Sequence, residues 1–108
     1  MAPKNAFLTF VVSTLQGRYP LRSRAMFGGY GLYYNNVIMG IIIDDALYLK
    51  AEAQTAHYFA TQGATPFSYE KNGKTITMCY WRVPEDVLEN QEELESWVHR
   101  AIFKSAHQ

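Results

Sequence analysis

Three short turns constrain this chain more than any other feature. Asn35-Asn36, Asp44-Asp45 and Asn72-Gly73 each separate two runs of aromatic or β-branched residues. Asn, Asp and Gly tolerate the positive φ that a two-residue hairpin turn demands. A connection this short can only join antiparallel neighbours, because a parallel pair needs a long crossover. The flanking runs then read as strands: a three-strand meander over residues 32–34, 37–43 and 46–50, and a hairpin over 66–70 and 75–81.

Helical signals bracket these strands. Phe7, Phe10, Val11 and Leu15 fall at helical spacing, widened by Leu8 and Val12, and predict a helix over 5–16 with a broad buried face. Gly17 and Pro20 end it. A second, short helix is expected over 53–62, stopped by Gly63. Pro84 suits the first position of a helical turn reaching residue 88. Asn90 is the expected N-cap of the last helix, with Glu93 three residues on. That helix should bury Leu94, Trp97, Val98, Ala101 and Ile102. The order α-β-β-β-α-β-β-α implies a two-layer α+β fold, an antiparallel sheet with helices on one face. Residues 1–108 read as one domain, since 108 residues match the size of a single core and no linker or repeat divides them.

Composition removes several classes of function. An apolar content of 48% with no net charge excludes intrinsic disorder. Ten Lys+Arg balanced by ten Asp+Glu disfavour direct nucleic-acid binding, which rests on uncompensated cations. The single cysteine, Cys79, cannot form an internal disulfide, and no apolar run reaches membrane-spanning length. A cytoplasmic protein without membrane attachment is expected.

Motifs that imitate chemistry have simpler structural readings. Gly73-Lys74-Thr75 ends like a phosphate-binding loop, but Ser68 stands where that pattern needs glycine, and both flanks read as strand. Gly28, Gly29 and Gly31 do not match the dinucleotide fingerprint and fit a bulge or tight packing. His57, His99, His107 and Cys79 contain no pair at ligand spacing, so no metal or cofactor is expected. Cys79 reads as a small apolar strand residue. A Cys79–His57 dyad is the least favoured alternative, having no recognisable oxyanion-binding loop.

Two local features point to a surface instead. Arg18, Arg22 and Arg24 form a basic cluster, whereas the stretch Glu85, Asp86, Glu89, Glu92, Glu93 and Glu95 is acidic. The strands also carry more aromatic residues than one core face accommodates. This excess suggests a protein interface or a homodimer, because aromatics are enriched at interfaces. The alternative is direct nucleic-acid binding through Arg18, Arg22 and Arg24.

Four segments on these strands resemble the N-terminal domain of the TfoX/Sxy family: Arg24-Ala-Met-Phe-Gly-Gly-Tyr-Gly-Leu-Tyr33, Leu47-Tyr-Leu-Lys50, Pro66-Phe-Ser-Tyr69 and Met78-Cys-Tyr-Trp-Arg-Val-Pro84. The similarity runs from Arg24 to the final helix. It implies the two-layer α+β fold and a bacterial, cytoplasmic, non-enzymatic module in the regulation of competence for DNA transformation. It further implies a protein partner, a transcription regulator such as the cyclic-AMP receptor protein, and carries no catalytic residues. Full regulators of the family have a second, C-terminal domain, and this chain is expected to be a standalone version. The candidate interaction surface is Arg24, Met26, Phe27, Gly28, Gly29, Tyr30 and Gly31 together with Tyr80 and Trp81.

Overall fold

The computed structural model describes residues 6–26 and 28–104. The first helix, α1 (Ala6–Leu15), is followed by four strands: β1 (Arg22–Met26), β2 (Gly29–Tyr34), β3 (Val37–Ile43) and β4 (Ala46–Lys50). Helix α2 (Ala53–Thr61) leads to the hairpin β5 (Pro66–Lys71) and β6 (Lys74–Arg82). Two helices close the chain, α3 (Glu85–Leu88) and α4 (Gln91–His99), the latter running into a π-helical turn, Arg100–Lys104.

The three sequence turns set this architecture. Asn35 and Asn36, Asp44 and Asp45, and Asn72 and Gly73 all have positive φ, so every one of these hairpins turns through two left-handed residues. The strands form one antiparallel sheet in the order β1-β2-β3-β4-β6-β5. Its class and the order of its helices and strands are those expected, with one addition: β1 precedes the meander as an edge strand. Its sequence, Arg-Ser-Arg-Ala-Met, lacks apolar alternation, and four of its five residues are exposed. Charged residues on an edge discourage pairing with another chain.

The helices cover one face of the sheet. Leu32, Met39, Ile42, Leu47, Leu49 and Val83 join the core cluster with Val11, Leu15, Phe59, Leu94, Trp97 and Val98. Phe59 and Trp97 stack at 4.6 Å between centroids, tying α2 to α4. Asn90 caps α4, its side-chain oxygen accepting a hydrogen bond from the Glu93 amide at 3.1 Å. All five residues expected on the buried face of this last helical segment are buried. In α1, Val11 and Leu15 are fully buried, whereas Phe10 is 44% exposed and rests against Phe7. The buried stripe of α1 is therefore narrower than its apolar content suggests. Residue 5, at the start of the expected helix, lies outside the described residues.

Two glycines hold strands close together. A Cβ on Gly29 would collide with the Ile42 carbonyl oxygen, and one on Gly40 would stand 2.9 Å from the Tyr48 carbonyl oxygen. Tight packing thus accounts for Gly29. Met39 is the extra residue where the β2–β3 register shifts, and it turns toward the core beside Gly40.

Candidate binding surface

Among the described residues no helix covers the second face of the sheet. Paired residues share a face and alternate residues oppose it, so the register assigns every strand side chain. One row crosses five strands through Arg24, Gly31, Ile41, Tyr48 and Arg82. A neighbouring row carries Arg22 and Tyr33 at one end and Lys50 and Tyr80 at the other. Along the hairpin, Tyr69 pairs with Ile76 and Lys71 with Lys74. Ile41 and Tyr80 are each only 9% exposed yet stay outside the core cluster, as residues of a separate, second face should.

This face is apolar at its centre. Ile38, Ile43, Tyr33 and Tyr48 are half-buried; Tyr48 meets Phe67 edge to face at 5.0 Å, and Phe67 lies against Tyr69. Tyr69 and Met78 are exposed. Burial pushes the Tyr80 phenol above its ordinary value, with smaller contributions from Cys79 and Tyr33, so this hydroxyl stays protonated at neutral pH.

Its charges are of one sign. Arg22, Arg24, Lys50, Lys71, Lys74 and Arg82 all point from this face, six of the ten Lys and Arg in the chain. None of the ten acidic residues does so. Glu70 pairs with Thr75 on the opposite face and accepts its hydroxyl hydrogen bond at 2.6 Å. Asp44 and Asp45 occupy a hairpin tip. Glu52 precedes α2, and the remaining six lie between Glu85 and Glu95, on α3, α4 and the link between them. The zero net charge is therefore a sum over two unlike sides.

The structure divides the residues expected to form the interaction surface. Arg24, Met26, Gly31 and Tyr80 lie on the open face, where Met26 covers the notch left by Gly31. Tyr30 and Trp81 lie on the other side, packed against the core. Gly29 is buried between strands, Gly28 turns with φ 76°, and Phe27 lies outside the described residues. Lys50, Lys71, Lys74 and Arg82 were not singled out, because they are scattered through 33 positions of sequence. The period-two alternation of 74, 76, 78, 80 and 82 is the signal that unites the last strand with them.

Other sites offer less. Arg18 stands off the sheet, in the segment between α1 and β1, and borders a shallow groove of about 790 Å³ with Glu92, Glu95, Ser96, His99 and Arg100. In its wall the Tyr19 hydroxyl and His99 Nδ1 are 2.8 Å apart. Arg100 sits 3.6 Å over the Tyr58 ring, which ties its charge into the packing. Cys79 lies on β6 as expected but is exposed rather than buried, and no hydrogen bond joins it to His57. Among the described residues no group of three His, Cys, Asp or Glu could hold a metal ion, and no helix is long and apolar enough to cross a membrane. His107 lies outside the described residues.

The sequence of residues 13–104 matches the TfoX N-terminal domain. The chain belongs to the TfoX N-terminal domain family. It is also similar to Protein Sxy of Escherichia coli (strain K12), with 34% identity over 71 residues, 66% of this chain and 34% of that protein. It thus spans about a third of the relative's length. The matched region contains the whole sheet, open face included.

Proposed function

We propose that this TfoX-type domain is a non-enzymatic regulatory module that serves competence for DNA transformation at the level of transcription. It acts by binding a partner on the open face of its sheet. The supporting observation is the row Arg24–Gly31–Ile41–Tyr48–Arg82: an apolar strip bounded by cations, on the side of the sheet away from the described helices. Antiparallel sheets that leave one face to solvent ordinarily make it polar. An apolar, aromatic and uniformly basic face is a binding surface, and its sign calls for an anionic partner.

The test is made in the host that encodes the chain. The Arg24→Glu/Arg82→Glu variant should lower transformation frequency and competence-gene transcripts about as far as deletion does. Glu92→Lys, a single charge reversal on the helical side, should leave both unchanged. If deletion itself has no effect, the competence role is wrong. If deletion acts and the open-face variant does not, the surface is wrong.

A further inference from the structure

We infer that the open face of the sheet binds a single strand of nucleic acid without sequence preference. This rests on the preceding reading, that the open face is the working surface, and names its occupant. Two independent properties of the face select a strand of nucleic acid over other anions.

The first is the placement of charge. Arg22 and Arg24 stand at one edge of the sheet, Lys71 and Lys74 at the other end, and Lys50 and Arg82 between them. Six strands at the usual spacing of about 4.8 Å make the face roughly 24 Å wide. Cations thus follow a track across the sheet instead of gathering at one point, as a polyanion requires and a small anion does not. A second copy docking face to face would oppose the same six cations to themselves, which disfavours that occupant.

The second is what lies between the cations. Tyr33, Tyr48, Phe67 and Tyr69 are partly or fully exposed on the same face. Flat rings between cations suit unpaired bases, which stack on aromatic side chains while Lys and Arg hold the backbone. A duplex keeps its base faces internal, so it could use only the cations. An acidic protein would likewise leave the rings without matched partners. Among its strand residues this face presents no Asn, Gln, Ser, Thr, Asp or Glu, the types that read base edges alongside Arg. Binding should therefore be indifferent to sequence.

The objection from zero net charge does not reach this face. The acids that cancel the cations lie on the helical side, at a hairpin tip, or on Glu70 of the opposite face. Close to the sheet a strand meets the local field, because charges beyond the Debye length of about 8 Å at physiological salt are largely screened.

The experiment measures anisotropy of a labelled oligothymidylate titrated with the full chain over a range of salt. Duplex DNA of equal length and polyglutamate serve as competitors. Expected is binding to the single strand that weakens with salt, each phosphate contact contributing about 0.7 to the log–log slope. Arg24→Glu/Arg82→Glu should weaken binding at least tenfold (about a decade) and reduce the slope by about 1.4. Tyr69→Ala should weaken it about fivefold or more with the slope unchanged, the signature of stacking. Arg18→Glu, off the face, should change little, and circular dichroism verifies that each variant folds.

Three results overturn the inference: no binding at low salt, equal loss in Arg18→Glu, or competition by polyglutamate as effective as that by unlabelled oligothymidylate. The last assigns the face to an acidic protein and leaves the regulatory reading standing. Failure of the regulatory reading appears in the host instead, as a deletion without phenotype, and does not depend on this titration.

Discussion

Gly28 and Gly29 are adjacent and chemically identical, yet they do different work. Gly28 has φ 76° and open space where a Cβ would go. Substitution there meets only the cost of a left-handed L-residue, about 1–2 kcal/mol. Gly29 has ordinary φ, but its Cβ would strike the carbonyl oxygen of Ile42 on the adjacent strand. Backbone cannot swing aside as a side chain can, so the strands must part. Gly29→Ala should therefore destabilise by about 3 kcal/mol, the upper end of overpacking, and Gly28→Ala by clearly less. Denaturant midpoints of the two variants check the order, and equal losses would refute the close approach. That a glycine cluster marks tight packing was legible in the sequence. Which glycine is the spacer was not, since contact with Ile42 depends on a register thirteen residues away. Cys79 shows the same limit. Its position on a strand followed from its neighbours, but its exposure depends on how far β6 extends beyond the helices, which no local pattern records.

At the scale of elements, residues that act locally were the readable ones. The paired left-handed turns, the Asn90 cap and the i, i+3, i+4 stripe of the last helix all act within a few residues, and all form as the pattern implies. Strand β1 escaped because its signal is inverted. An exposed edge strand has nothing to bury on its outer flank, and Arg22 and Arg24 replace the apolar alternation that normally marks a strand. The open-face cations were hidden for a related reason. Lys50 and Arg82 become neighbours, and Lys71 and Lys74 join their face, only after β4 pairs with β6, a connection that spans α2 and β5. The two-residue turns that set the hairpin pairings are open to test. Asn36 sits at φ 67°, where a β-branched residue is strongly disfavoured. Asn36→Val should cost about 1–2 kcal/mol and broaden the β2–β3 amide signals, whereas Asn36→Gly should not destabilise. An unchanged melting temperature for Asn36→Val would mean that the turn does not fix the register.

At the scale of the molecule, the segregation of charge bears on self-association. An apolar face invites a dimer, and for a neutral composition that is the expectation. The distribution reverses the inference for the symmetric arrangement, in which each contact is made twice across a two-fold axis. Face-to-face pairing would bring Arg24, Lys50 and Arg82 of both copies into one interface with no acidic residue to compensate them. Burying like charges against each other costs several kcal/mol, enough to offset a modest apolar contact. Edge-to-edge pairing is also opposed, by Arg22 and Arg24 on β1 and by Pro66, Glu70 and Lys71 on β5. The remaining mode sets the basic face of one copy on the acidic helices of the next. Such a head-to-tail contact is heterologous, building rings or open chains, and dissolves as salt rises. Sedimentation or light scattering near physiological salt should therefore report a monomer. Any larger species at low salt should grow with concentration and disappear on adding salt or oligothymidylate. A discrete dimer that persists in high salt would show that the apolar centre of the sheet outweighs its cations, and the open face would then be a subunit interface.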